Sequence, residues 1–170
     1  MRRTLVAYGS KHGSTKEVAT AIAADLRAAG HDVDLLSAGA AVVAGPDGYD
    51  SVVVGGSLYM GRWHSEACRF IRRHHAALER LPLAVFALGP RTLDAEDVAS
   101  SRKQLDAALK RLKVEPELVA IFGGAVDPSK LHFPLNRMPE SDARDWQAID
   151  AWSEQIGAMI SDEAPVLVQV

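Results

Sequence analysis

Strand-type and helix-type patterns of apolar residues alternate along the whole chain. Thr4-Leu5-Val6-Ala7 predicts a strand over about 3–9. Val18, Ala19, Ile22, Ala23 and Leu26 recur at helical spacing and predict a helix over about 14–29, stopped by Gly30. His31 to Leu36 alternates polar and apolar, as an edge strand with one wet face does. Residues 37–50 read as a weak short helix followed by the Gly45-Pro46-Asp47-Gly48 turn. Ser51-Val52-Val53-Val54-Gly55-Gly56 is a continuous run, the mark of a strand covered on both faces. A loop from Ser57 to Trp63 then leads into a helix over about 64–79, with Cys68, Ile71, His75 and Leu78 on one face. A fourth strand over 82–88 ends in Gly89-Pro90. The helix after it, 94–112, carries Val98, Leu105, Leu109 and Leu112 inward, with Asp94 at its N-cap and Asp97 as a shortened capping box. The fifth strand covers 118–124, and an irregular loop 125–140 follows. The last helix, about 142–160, places Trp146, Ile149, Trp152, Ile156 and Met159 on its inner face. The apolar tail, 161–170, has two candidate positions: on the domain, or against a second subunit.

Five strand–helix units with near-continuous apolar strands imply an α/β fold, a doubly wound five-stranded parallel sheet with helices on both faces. At 170 residues the chain reads as a single domain, 1–170. Ligands of such sheets bind beyond the carboxyl ends of the strands, so the informative loops are those after strands 1, 3, 4 and 5.

Composition changes this picture little. The net charge of −3 is too small to argue for nucleic acid or an anionic membrane surface as a partner. The one cysteine, Cys68, sits at an apolar helical position and reads as a buried, inert thiol in a reducing cytoplasm. No leader pattern follows Met1-Arg2-Arg3, and no apolar run approaches the ~20 residues of a membrane span. The six histidines show no metal-ligand spacing, and His74-His75 points in two directions from one helix.

The chemistry concentrates in the first strand-to-helix turn, Tyr8-Gly9-Ser10-Lys11-His12-Gly13-Ser14-Thr15. Free amides at a helix start, the positive end of the helix dipole and the hydroxyls of Ser10, Ser14 and Thr15 favour a bound phosphate. Gly13 lets the backbone close in, and Lys11 adds a full charge. The G-x-x-x-G spacing of Gly9 and Gly13 is neither the dinucleotide fingerprint nor a Walker A loop.

This turn resembles the phosphate loop of the flavodoxins, Y-G-S-T-T-G-N-T. Tyr8, Gly9, Ser10, Gly13 and Thr15 match, Lys11 and His12 stand for two threonines, and Ser14 stands for the asparagine. The resemblance implies strand order 2-1-3-4-5 and FMN at the carboxyl edge, with Ser10, Lys11, His12, Gly13, Ser14 and Thr15 around its phosphate. Phe122-Gly123-Gly124-Ala125-Val126-Asp127-Pro128-Ser129-Lys130-Leu131-His132-Phe133 with Arg137-Met138 is similar to the F-x-G-x-x-D-x-S-K-L-x-F…R-M stretch of the small quinone-dependent protoporphyrinogen oxidases. These are flavodoxin-like FMN enzymes of haem synthesis. Gly61-Arg62-Trp63-His64-Ser65 with Arg69-Phe70 and the pair Asp145-Trp146 resemble further segments of theirs. Their additional apolar and basic segment after R-M is replaced here by Pro139-Glu140-Ser141-Asp142, so the resemblance carries family membership over more safely than the substrate.

The resemblance places Ser57, Leu58, Tyr59, Met60 and Gly61 against the isoalloxazine ring. Tyr59 or Trp63 supplies a stacking face and the backbone near Gly61 faces the flavin N5 edge. Leu88, Gly89, Pro90 and Arg91 form the opposite loop, which has no aromatic and leaves one flavin face open; Gly124 and Asp127 complete the cofactor set. Arg62, Trp63, His64, Lys130 and Arg137 are the substrate-side candidates, with His64 a candidate proton donor. Only Asp94 and Asp127 oppose the cations of these loops, which reads as a neutral to basic rim attracting an anionic substrate. The expected function is an FMN-dependent oxidoreductase that passes electrons from a small-molecule reductant to a quinone-like acceptor. The alternative is a non-enzymatic electron carrier; a third reading keeps the fold without the cofactor. Peripheral membrane contact and a homodimer stay open.

Overall fold

The computed structural model describes residues 1–162. Its elements are β1 (Arg3–Gly9), α1 (Ser14–Ala28), β2 (Asp32–Ser37), α2 (Ala38–Ala44), β3 (Ser51–Tyr59), β4 (Arg62–Trp63), α3 (Ser65–Arg73), α4 (His75–Leu78), β5 (Leu83–Leu88), α5 (Ala95–Leu112), β6 (Leu118–Phe122), β7 (Ala125–Val126), β8 (Ser141–Asp142) and α6 (Trp146–Asp162). Five strands pair in parallel in the order β2-β1-β3-β5-β6, which is the expected 2-1-3-4-5 with the two-residue β4 set aside.

Successive side chains of a strand point to opposite faces, and that alternation divides each apolar run between two cores. Leu5, Ala7, Val52, Val54, Val85 and Ala87 face α2, α3 and α5, where Phe70, Ile71, Leu105 and Leu109 meet them. Val6, Val53, Ala84, Phe86 and Leu88 face α1 and α6, against Val18, Ile22, Ile149 and Ile156. On this second side Phe86, Phe122 and Trp152 form an aromatic triangle with ring centroids 5.6 to 5.9 Å apart. The parallel register sets Gly9 beside Gly56, Ser57 beside Leu88 and Leu88 beside Phe122. All the strand carboxyl ends therefore share one edge.

Five local expectations are corrected. β3 runs on to Tyr59 and turns back antiparallel into β4, so 57–63 is a hairpin, with Leu58 opposite Trp63 and Tyr59 opposite Arg62. Its two turn residues, Met60 (φ 49°) and Gly61 (φ 75°), both lie in the left-handed region that a tight hairpin requires. The helix expected over 64–79 is broken at His74, whose ring nitrogen bonds the Val42 carbonyl at 2.9 Å, dividing it into α3 and α4. Asp94 occupies the N-cap of α5 without a side-chain cap, and Asp97 accepts instead from the Thr92 hydroxyl. The segment 125–140 is held at both ends by the β7–β8 pair. Trp146 opens α6 but stands outward, 40% exposed, with the Arg144 guanidinium 5.0 Å from its ring centroid. Residues 163–170, most of the tail, lie outside the described residues.

Gly55 has no room for a side chain: a Cβ there would stand 2.0 Å from Phe86 Cζ, inside the aromatic triangle. Gly55→Ala is expected to lower stability by about 1–3 kcal/mol through overpacking, read as a fall in the urea midpoint with an unchanged slope.

Candidate functional site

At the carboxyl edge the turn from β1 to α1 is braced by Ser10, whose Oγ accepts from the Gly13 amide at 2.9 Å. Gly13 caps the helix at φ 95°, a left-handed conformation that costs glycine nothing. No side chain caps α1, so its first amides are left facing the cavity mouth. Thr15 is 1% exposed, and its Oγ1 has no hydrogen-bond partner among the described residues. A buried hydroxyl without a partner is costly, and its position at a helix start suits an anion that arrives from outside the chain.

The cavity these groups open into has a volume of about 340 Å³, within the range of small-molecule sites. It is lined by Lys11, His12, Ser14 and Thr15 from the turn, Ser57, Leu58 and Tyr59 from β3, Leu88, Gly89 and Arg91 after β5, and Gly124 and Asp127 after β6; Lys130 joins them from the segment beyond. Tyr59 is half exposed, and the Lys11 ammonium stands 5.1 Å from its ring centroid. Ser10 and Gly13 shape the turn from behind the lining. Pro90 is buried, its carbonyl accepting the Gly124 amide at 2.8 Å. A larger concavity of about 560 Å³ lies between α1 and α6, lined by Asp25, His31, Asp150 and Glu154 among others. It sits by the amino-terminal side of the sheet, away from the free amides of α1, and Asp25 Oδ2 there also lacks a hydrogen-bond partner among the described residues.

Several sequence candidates stand elsewhere. Trp63 is 4% exposed and donates its indole N–H to the Gly56 carbonyl at 3.1 Å, so it staples the hairpin to the core and offers no ring face to the cavity. Met60 and Gly61 form the exposed hairpin tip and Arg62 the exposed strand beside it; none lines the cavity. His64 lies half-buried beneath the turn, so close that a Cβ on Gly9 would stand 2.5 Å from its Nδ1. That nitrogen accepts the Glu66 amide at 3.2 Å and caps α3, which makes His64 a capping residue outside the lining. Arg137 stacks on Phe133, 5.1 Å from the ring centroid, outside the lining. Cys68 is half-buried; its thiol donates to the Trp63 carbonyl at 3.7 Å, and burial pushes its pKa up, which keeps it protonated and inert.

Sequence reasoning missed the far wall. Val126, Leu131, Met138, Glu140, Ser141, Asp142 and Arg144 line the cavity opposite the sheet, so the side left open by the aromatic-free loop is covered by the 125–142 segment. Arg91 reaches across to it, 3.8 Å from the Met138 sulfur. Arg144 fixes the base of this cover. It grips Asp142 through two nitrogens at 2.8 and 2.9 Å and pairs with Glu17 on the first turns of α1. The guanidinium beside it holds the Asp142 carboxyl below the usual carboxylate range. Asp142 is also the first cause of the upward shift of Arg144, with Glu17 adding to it, so the pair stays charged. The Gly123 backbone lies against Ala143 so tightly that a Cβ would stand 2.0 Å from its carbonyl oxygen. These residues were invisible because their roles depend on contacts far apart in the chain; the one local signal was Asp142 two positions before Arg144.

The same wall adds acids to the charge reading. The lining holds Lys11, Arg91, Lys130 and Arg144 against Glu17, Asp127, Glu140 and Asp142, a balanced set at the neutral end of the expected neutral to basic range. Of these cations Arg144 is paired with Glu17 and Asp142, while Lys11 and Lys130 stand near the phosphate turn without an ion-pair partner among the described residues. Among the described residues no group of three or more potential metal ligands occurs.

A flavodoxin domain family matches residues 5–138. Protoporphyrinogen IX dehydrogenase (quinone) of Escherichia coli strain K12 is 28% identical over 86 residues, 51% of this chain and 48% of that protein. The protein of the same name from Leishmania major is 27% identical over 130 residues, 73% of this chain and 54% of its own length. The chain thus spans about half the length of the curated relatives it matches. Among solved structures, a mutant flavodoxin from Pseudomonas aeruginosa superposes with a TM-score of 0.62 at 19% identity, over 94% of this chain and 99% of that one. A rubredoxin oxygen:oxidoreductase from Desulfovibrio gigas gives 0.61 at 13% identity, over 94% of this chain and 36% of that one. At these identities the structural likeness is one of fold.

His64 makes the turn above it sensitive to acid. Burial lowers its pKa first of all, Lys11 lowers it further, and Glu66 only partly opposes them. The unfolded chain therefore takes up this proton more readily than the folded one. The folded state keeps its full stability above the unfolded pKa of about 6.5 and loses it as the pH falls from there toward the lower folded value. His12, shifted down by burial, Lys11 and His132, adds in the same direction. His64→Asn keeps a capping acceptor and should flatten the loss of urea midpoint between about pH 7.5 and pH 5.5. His64→Ala should cost about 1 kcal/mol through the lost cap.

Proposed function

The chain belongs to the flavodoxin domain family, and on that premise we propose that it is an FMN-dependent oxidoreductase of the protoporphyrinogen-oxidase type. It takes reducing equivalents from a small reduced substrate and delivers them to a quinone-like acceptor. Family membership implies a flavin, and the turn fits a phosphate: free helix amides, Ser14 beside them and the partnerless Thr15 hydroxyl supply donors and nothing else competes for them. Ser14, Thr15 and Lys11 would hold the phosphate. Tyr59 would offer its ring to the isoalloxazine, and backbone of 57–58 and 88–89 would run along its edges. The bound flavin would supply two-electron chemistry that no side chain here can perform.

The observation that carries an enzyme over a carrier is the cover. A carrier works best with its cofactor edge open to a protein partner, whereas Val126, Leu131 and Met138 roof this cavity with apolar surface. Such a roof excludes water from the reacting groups and gives a planar apolar molecule a wall to lie against. The segment that forms it carries the F-x-G-x-x-D-x-S-K-L-x-F…R-M pattern. Arg91, tied to the roof through Met138, would orient a substrate carboxylate at the rim. Among the described residues no helix is long and apolar enough to cross a membrane. The inert lone thiol suits a reducing compartment, and we place the chain in the cytoplasm.

The flavodoxin domain family also holds the second reading, a non-enzymatic electron carrier. Turnover separates the two. The purified chain, loaded with FMN, should oxidise protoporphyrinogen anaerobically with menadione as acceptor through many cycles. A carrier would take up electrons stoichiometrically and stop. Thr15→Val should leave the fold intact and weaken FMN by about tenfold or more, read by quenching of flavin fluorescence. A chain that binds no flavin under these conditions would sink both readings.

A further inference from the structure

The phosphate turn is more heavily charged than amides and hydroxyls alone require, and part of the charge comes from a distant segment. Lys130 follows Pro128 and Ser129 in a short helical turn of the roof, and its ammonium reaches back to α1, 3.9 Å from where a Cβ on Gly13 would stand. His132, two residues on, is near enough to His12 to repel a proton from it, as Lys11 does from the turn itself. Two pairs of basic side chains, one from each segment, thus converge on one helix start. Among the described residues none of the four has a carboxylate within ion-pair distance. The nearest acid, Asp127, turns its carboxylate onto the Ser129 amide and hydroxyl at 3.0 and 2.6 Å, leaving Lys130 to act on it only at longer range. The ammoniums of Lys11 and Lys130 are like charges lining one cavity, an arrangement that is unfavourable unless something negative sits among them. Here the free amides of α1 and the buried, partnerless Thr15 hydroxyl face the same point.

We propose that Lys130 is a phosphate-binding residue supplied across the fold, so that a phosphate monoester dianion held by the turn also draws the 125–142 roof shut over the cavity. The proposal rests on the FMN reading above and deepens it. Lys130 thereby moves from the substrate side, where sequence alone put it, to the cofactor. The roof then has two anchors: Arg144 at its base, which is permanent, and Lys130 near its middle, which engages only with phosphate present. A flavin without phosphate would fill the same cavity beneath an unfastened roof.

The test compares FMN with riboflavin, which has the same ring system and no phosphate, on the whole chain freed of cofactor. Lys130→Gln should raise the FMN dissociation constant by about 10- to 100-fold while riboflavin stays within twofold, and Lys130→Arg should recover most of the loss. The salt dependence of FMN binding should fall in Lys130→Gln. Inorganic phosphate should slow amide exchange across 125–142 in the parent chain and not in Lys130→Gln. Unchanged FMN affinity in Lys130→Gln, or equal weakening of FMN and riboflavin, overturns the proposal. If neither flavin binds the parent chain, the FMN reading fails and the exchange measurement decides alone: phosphate protection lost in Lys130→Gln upholds the phosphate site, and its absence from the parent chain overturns it.

Discussion

A parallel sheet buried on both faces is the constraint from which the rest of this molecule follows. Each strand must satisfy two layers of helices at once, so its residues alternate between the α2, α3 and α5 side and the α1 and α6 side. Parallel pairing sends every connection back over the sheet, which gathers the strand carboxyl ends at one edge and presents the free end of α1 there. The donors of the candidate site are therefore a consequence of topology. What the sequence adds is the choice of small and hydroxyl-bearing residues that keep those donors accessible.

The same edge brings backbone close to backbone. β6 stops at Phe122, where Gly123 lies against Ala143, and the Gly124 amide turns to the Pro90 carbonyl. Sheet pairing gives way to the small β7–β8 pair that carries the roof. Arg144 holds that pair to α1, its side chain 11% exposed while its acids are about half exposed. A mostly buried guanidinium bound by two carboxylates at fixed angles specifies geometry more than it adds stability, since the acid ends remain screened by water. The wall of the cavity is thus set by a polar joint, and its apolar surface is free to face a ligand.

Legibility in the sequence follows the range of the contacts. Period-two and period-3.6 patterns reveal strands and helices because each reports a local face against the core, and the strand order came through the family resemblance. The phosphate turn was readable because all its parts lie between Tyr8 and Thr15. Trp63 misled because an aromatic beside a loop looks the same whether it faces ligand or, as here, the Gly56 carbonyl. Trp146 continued a helical stripe on paper yet stands outside it, its ring covered by Arg144. Glu17, Asp142 and Arg144 have no meaning until the fold joins the first turn of α1 to the end of the roof.

That missing wall also alters how charge bears on function. Read along the chain, the cations of the loops suggest one neutral to basic rim that attracts anions generally. In space Glu17, Glu140 and Asp142 balance the cavity as a whole, and the ammoniums of Lys11 and Lys130, without ion-pair partners among the described residues, lie at the turn. A field confined to one end of a cavity orients a molecule with one anionic end and an uncharged body. A flavin mononucleotide has that form. On the proposed reading the electrostatics would fix cofactor direction, and discrimination among reduced substrates would fall to the apolar roof and to Arg91, which reaches its Met138.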